Sequence, residues 1–152
     1  MDQQHRLYLD DISVGQRFTT GSYELDEAQI VAYAKQFDPQ PFHTDAQAAK
    51  ASLFKGLAGS GWHTAAITMR LLVESGIPLA GGMIGIEASL RWPRPTRPGD
   101  TLTVHGEVIE VAPSQSRPDR GWVTIRAETR NQNDEVVQIF TAKLMVPRWQ
   151  GA

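Results

Sequence analysis

The stretch Gly61–Ser75 constrains what this chain can fold into more than any other part of it. Trp62, Ala65, Ala66, Ile67, Met69, Leu71, Leu72 and Val73 lie around most of a helical circumference, with Arg70 and Glu74 adding polarity only near the end. A helix that is apolar almost all round is buried on several sides. Ser60 stands where an N-cap belongs, and Gly76 and Pro78 end the segment as helices usually end. The rest of the chain must wrap this helix.

The residues from about Gly82 onward read as that wrapping. Ile86, Ala88, Leu90 and Trp92 alternate with Glu87, Ser89 and Arg91, which predicts a strand with one apolar face. Pro93, Pro95 and Pro98-Gly99-Asp100 break the chain. Leu102 and Val104 resume an alternation that slips near Gly106, the expected place of a bulge. Residues 122–130 put Val123, Ile125 and Ala127 on one face. Phe140, Ala142, Leu144 and Val146 share a face of the last strand, entered through an Asn133-Asp134 turn. A buried helix followed by an antiparallel meander predicts an α+β layer structure, with the sheet wrapped on the helix. One sheet covers one side of a helix, so the other side calls for a dimer or a longer sheet.

The first half alternates turns with helical periodicity. Residues 16–24 read as a strand. Asp26 with Gln29 makes a capping-box pattern, and Ile30, Tyr33, Ala34 and Phe37 follow on one helix face. This helix stops near Phe37, because Asp38 precedes Pro39 and a residue before proline avoids the α region. Thr44, with Gln47 at the box position, is the expected start of a short second helix. Residues 54–61 are glycine-rich and loop-like.

Composition narrows the function classes. The 152 residues read as one domain spanning 1–152. A chain of this length buries roughly 70% of its unfolded surface, so it needs neither disulfides nor a structural metal to fold. There are no cysteines, which excludes thiolate metal sites and cysteine nucleophiles. Fifteen Lys and Arg against 17 Asp and Glu, a net charge of -2, offer no basic field for nucleic acid. No apolar stretch approaches a membrane span, and residues 1–10 are polar and mixed in charge, unlike a secretory leader. A cytoplasmic protein is expected.

Two segments carry chemistry. In residues 38–43, Pro39 and Pro41 fix φ and remove two donors, which predicts an extended, stiff loop bearing Asp38 and His43. A carboxylate and an imidazole held near each other can share and orient one water, and either can take its proton. The same spacing also fits a plainer arrangement, with Asp38 as a helix C-terminal residue and His43 near the next N-cap. In Gly59-Ser60-Gly61-Trp62-His63 the buried helix begins. Its first N–H groups have no partner within the helix and carry partial positive charge, and the glycines admit a ligand to the backbone. A carbonyl would be polarised there. Equally, Ser60 can serve only as the cap and the glycines only as the turn.

His5 and His105 offer no such context, and the four histidines lack metal-ligand spacing. His63, in the first turn of the buried helix, fits a packing role with a place beside the site. Arg91, Arg94 and Arg97 cluster around prolines and can meet the phosphates of a nucleotide-bearing carrier, or form an ordinary solvated turn.

Together, Phe37-Asp38, Pro41-Phe42-His43-Thr44-Asp45, Gly59-Ser60-Gly61-Trp62-His63-Thr64, Arg91-Trp92-Pro93-Arg94-Pro95 and Arg97-Pro98-Gly99-Asp100-Thr101-Leu102 resemble the MaoC-like acyl dehydratases. These are relatives of the (R)-specific enoyl-CoA hydratases, and the resemblance runs from about Leu9 to Pro147. It implies a hot-dog fold with the long helix as filling, and a homodimer or dimer-based oligomer. It implies that Asp38 and His43 are the catalytic pair binding the water that adds to a trans-2-enoyl thioester to give the (R)-3-hydroxyacyl product, or the reverse. It also implies that the Gly61 N–H polarises the thioester carbonyl. Gln40, Ser60, Trp62, His63 and Arg94 are the expected substrate-binding neighbours. No cofactor or metal is implied beyond the CoA or carrier-protein part of the substrate.

Two positions depart from the family's pattern. Gln40 stands where hydratases often have Asn, and Ala66 where some have Ser, which bears on the choice of substrate. Two other readings remain. A hot-dog thioesterase would place a carboxylate on the central helix or opposite it, and the helix offers only Glu74. A non-catalytic acyl-binding subunit of a heteromer would be free to lose Asp38 and His43.

Overall fold

Five strands form one antiparallel sheet in the order β1-β3-β4-β5-β2. The computed structural model describes residues 5–151, so residues 1–4 and 152, the ends of the expected span, lie outside the described residues. After a 3-10 turn at Leu9–Asp11 come β1 (Arg17–Glu24), α1 (Glu27–Phe37), α2 (Pro41–Thr44), α3 (Ala46–Lys50), α4 (Gly61–Ser75), β2 (Ile84–Arg91), β3 (Thr101–Pro113), β4 (Arg120–Arg130) and β5 (Val136–Pro147).

The period-2 pattern of the later strands produces the core. Val104 and Val108 of β3, Val123 and Ile125 of β4 and Leu144 of β5 point to one face and are buried with Ile67, Leu71 and Leu72 of α4. Burying each such side chain is worth roughly 1.5–3 kcal/mol. The sheet curls around α4, which packs on β1, β3 and β5. This is the hot-dog fold. Among the described residues no helix is long and apolar enough to cross a membrane.

Several local expectations hold. Asp26 accepts from the Gln29 N–H at 2.8 Å while its own N–H donates to Gln29 Oε1 at 3.0 Å, so both halves of the capping box are made. The Asp134 turn uses a left-handed residue, with φ of 61°.

Others are corrected. The segment after Asp38 is not extended throughout, because Pro41 opens α2, where its fixed φ suits the first helical position. The cap of α3 is Asp45, not Thr44: its Oδ1 accepts from the N–H groups of Gln47 and Ala48 at 2.9 and 3.3 Å. The Thr44 hydroxyl instead donates back to the Gln40 carbonyl. The β3 bulge lies between Val108 and Glu110 rather than at Gly106. Gly106 stays in register, and its missing side chain leaves room for the Phe18 ring that lies over it.

Burial of α4 is one-sided. Trp62, Ala66, Met69 and Val73 form an exposed apolar stripe, with Trp62 59% and Val73 66% accessible. The alternation of β2 does not bury a face in the single chain either: Ile86 is 55% accessible. β2 pairs with β5 alone and is an edge of the sheet.

Candidate active site

α1 ends at Asp38, whose N–H still donates to the Ala34 carbonyl while its own backbone leaves the helix (φ -150°, ψ 69°). Pro39 prevents continuation and Pro41 starts α2 in a new direction. The single turn of α2 then carries His43 back towards Asp38, and Asp38 Oδ2 stands 3.3 Å from His43 Nε2.

The imidazole is fixed from its other side. His43 Nδ1 is 2.6 Å from the Ala58 carbonyl, and the ring is buried. A carbonyl only accepts, so Nδ1 carries the proton, and in the neutral ring the Nε2 lone pair faces Asp38.

The carboxylate is fixed as well. Gln40 Nε2 donates to Asp38 Oδ1 at 2.6 Å, and Ser60 Oγ donates to Oδ2 at 2.7 Å. Burial pushes the Asp38 carboxyl up, but the hydrogen bonds from Ser60 and Gln40 and the nearby imidazole outweigh it and hold the group below its ordinary value. Asp38 is therefore ionised at neutral pH. The carboxylate oxygen and the imidazole nitrogen lie side by side 3.3 Å apart, and a water placed beside them can donate to both when the ring is neutral.

Ser60 thus does not do what was expected of it. It occupies the N-cap position of α4 but makes no side-chain cap, since its hydroxyl is spent on Asp38. The first bond within α4 is Thr64 N–H to Ser60 O at 3.1 Å, which leaves the N–H groups of Gly61, Trp62 and His63 without a partner inside the helix.

His43 and Gly61 line the same cleft, about 340 Å³ in volume, together with Phe54, Gly59, Thr64, Trp92 and residues 93–96. Of the expected residues, His43, Gly61 and Arg94 form its wall, while Asp38, Gln40 and Ser60 are bonded to one another beside His43. Trp62 and His63 do not line it. Trp62 packs edge-to-face on Trp92, with ring centroids 5.4 Å apart. His63 is buried and stacks flat on Tyr33 at 4.4 Å, and burial pushes its imidazole pKa down. Burial and the charge of Asp38 push the Tyr33 phenol up.

The arginine cluster divides. Arg94 lines the cleft and pairs with Glu135 at 2.9 Å. Arg97 turns to the chain itself: its guanidinium donates to the carbonyls of Phe54, Gly56 and Leu57 at 2.6, 3.0 and 3.3 Å and braces the glycine-rich loop. Thr64, Thr96 and Trp92 were missed as wall residues. Trp92 had a signal, an aromatic between the prolines and the strand, but reads in sequence as part of the β2 alternation.

A larger cleft of about 410 Å³ lies on the sheet face away from α4, lined by Arg17, His105, Glu107, Arg126, Glu128 and Arg130. Its arginines are paired, Arg17 with Glu107 and both Arg126 and Arg130 with Glu128. It holds no acid–base pair beside an unpartnered amide. Among the described residues no three His, Asp or Glu side chains gather as a metal site.

Residues 11–131 match the family described as the MaoC like domain. The chain belongs to this family. It is 56% identical to a MaoC-like dehydratase from Rhodospirillum rubrum of known structure, covering 95% of this chain and 99% of that one, with a TM-score of 0.93. It is 32% identical to the Bacillus subtilis protein YdeM over 92% of this chain and 97% of that one. The unliganded (R)-hydratase PhaJ1 of Pseudomonas aeruginosa superposes with a TM-score of 0.74 at 26% identity, covering 95% of this chain and 88% of that one. Family and neighbours support a hydratase or dehydratase.

Proposed function

We propose that this chain interconverts a trans-2-enoyl thioester and the (R)-3-hydroxyacyl thioester by adding or removing water. One observation carries the reading: His43, paired with an ionised Asp38, shares a cleft with the Gly61 amide. Water donates its two hydrogens to His43 Nε2 and Asp38 and keeps a lone pair for C3. The thioester carbonyl accepts from the Gly61 N–H. As the water oxygen bonds to C3, the C2–C3 π electrons move towards the carbonyl, and the enolate charge that develops on its oxygen is held by that N–H. The water proton passes to the pair, and the pair returns a proton to C2. H and OH have then been added and the pair is restored. Dehydration is the same path reversed.

The (R) outcome follows the resemblance and the neighbouring hydratase. Arg94, now paired with Glu135, would turn to a carrier phosphate at the cleft. A homodimer belongs to the same reading, because the exposed apolar stripe of α4 and the unpaired edge of β2 both call for cover by a second copy. The thioesterase reading lacks its carboxylate, since Glu74 is exposed and bonded to Arg70 at 2.8 Å.

Crotonyl-CoA mixed with the protein tests the reading. Loss of enoyl absorbance without free thiol supports hydration, whereas thiol release replaces it with hydrolysis. No change with enoyl thioesters of several chain lengths and polar acyl groups, on CoA or carrier protein, sinks the enzyme reading. Full hydration by His43→Ala sinks the site assignment.

A further inference from the structure

A polar chain runs through the core from β4 to the cleft. Thr129 of β4 and Thr68 of α4 bring their hydroxyl oxygens to 2.5 Å. Gln138 of β5 donates from Nε2 to Thr68 Oγ1 at 2.9 Å, and its Oε1 accepts from the Trp92 indole N–H at 3.0 Å. Thr68, Thr129 and Gln138 are buried, with Gln138 and Thr129 at zero exposure. An amide buried in an apolar core is costly unless its groups are paired. Here both ends of the Gln138 amide are, which fixes its orientation: nitrogen to Thr68, oxygen to Trp92.

The outer end of this chain is not in the core. Trp92 follows the last residue of β2, is 41% accessible and lines the cleft. Its indole lies on Gly61, where an added Cβ would come within 2.6–2.9 Å of three ring atoms. Only glycine permits that approach. Trp92 has left the β2 ladder, so the bond to Gln138 and the seat on Gly61 set its position.

We propose that Trp92 and Gln138 are positioning residues: the buried amide holds the indole against the first turn of α4 and so fixes where the Gly61 N–H points. This rests on the reading that the N–H polarises a thioester carbonyl. The network makes no hydrogen bond to Asp38 or His43, so its effect falls on carbonyl polarisation more than on the titration of the pair. Displacement of the donor is felt mainly in the transition state, where the oxygen carries most charge, so kcat suffers more than KM.

Butyryl-CoA carrying ¹³C at the thioester carbonyl has no double bond to hydrate and serves as the probe. Its carbonyl stretch, read by infrared difference spectroscopy, falls when the bound oxygen is polarised. Wild type and His43→Ala are expected to lower it equally. Gln138→Met, which keeps length but removes the acceptor, and Trp92→Phe, which keeps a ring but removes the donor, are expected to lose most of that shift. With an enoyl-CoA substrate both should lower kcat by about ten-fold or more, given the cost of losing an oxyanion donor, with KM within about three-fold and the pH profile unmoved. The double variant should be no worse than Gln138→Met alone, since that substitution already removes the bond to Trp92 along with the one to Thr68. Thermal unfolding checks the fold, and Trp92→Phe, at the partly exposed wall, carries the test if Gln138→Met unfolds. A wild-type shift retained in full by folded Trp92→Phe overturns this proposal alone. No shift in the wild type removes the carbonyl from Gly61 and overturns both readings.

Discussion

Asp38 Oδ2 and His43 Nε2 stand 3.3 Å apart, with the opposite ring nitrogen of His43 held by the Ala58 carbonyl and the carboxylate held by donors from Ser60 and Gln40. The bond from Ser60 is a charge-assisted one, worth about 1.5–3 kcal/mol. Ser60→Ala should therefore raise the Asp38 pKa. Its folded value is now below the ordinary one, so the carboxylate form is present above that value and is lost as pH falls through it. In the variant the acid limb of the kcat/KM profile should move to higher pH, with kcat/KM falling far more on that limb than at neutral pH, where Asp38 stays ionised. An unmoved acid limb would mean that the limb does not report Asp38.

Gln40 holds the other carboxylate oxygen at 2.6 Å. Gln40→Glu keeps the length but sets a second negative charge beside Asp38. Like charges disfavour ionisation, so the acid limb should move further up than in Ser60→Ala. Gln40→Asn tests reach: a shorter arm that still donates should keep most activity if α2 shifts to meet it, and its pH profile should then match the wild type.

What was legible in the sequence follows physical range. The capping box at Asp26, the stop at Asp38-Pro39 and the alternation of β3 to β5 are local rules, and each is met in the fold. The approach of Asp38 to His43 was legible only as a spacing, because Pro41 can brace an extended segment or start a helix. It starts a helix, and that turn brings the imidazole round. Ser60 looked like a cap because capping is the local use of serine; its actual partner lies 22 residues earlier in the chain. Gln138 left only a faint mark, a polar residue among the apolar ones of β5, since its partners come from α4 and from beyond β2. The exposed side of α4 was read as buried because periodicity reports an apolar surface without saying which molecule covers it.

His63 gives a stability prediction. Burial lowers its pKa, so the unfolded chain binds the proton more readily than the folded one. That contribution to stability is fully present above the ordinary histidine value of about 6.5 and is lost as pH falls below it. His63→Phe keeps a ring to stack on Tyr33 and removes the titration. The urea midpoint of the wild type should fall between about pH 7 and pH 5, and that of the variant should fall less. Parallel curves would assign the pH dependence to other groups.

Trp62, Ala66, Met69 and Val73 recur on one face of α4 and stay open to solvent in the single chain. Apolar area of this kind is worth about 25 cal/mol per Å² when covered. A carboxylate placed in such an interface must be desolvated without a partner, at a cost of several kcal/mol. Val73→Glu should therefore halve the mass measured by light scattering while leaving the far-ultraviolet circular dichroism unchanged, because Val73 is 66% exposed in its own chain. Activity at high dilution should fall for the wild type as well, if the second copy closes the cleft of the first. A Val73→Glu protein that keeps the wild-type mass would place the contact elsewhere, and the edge of β2 around Ile86 is then the surface to substitute next.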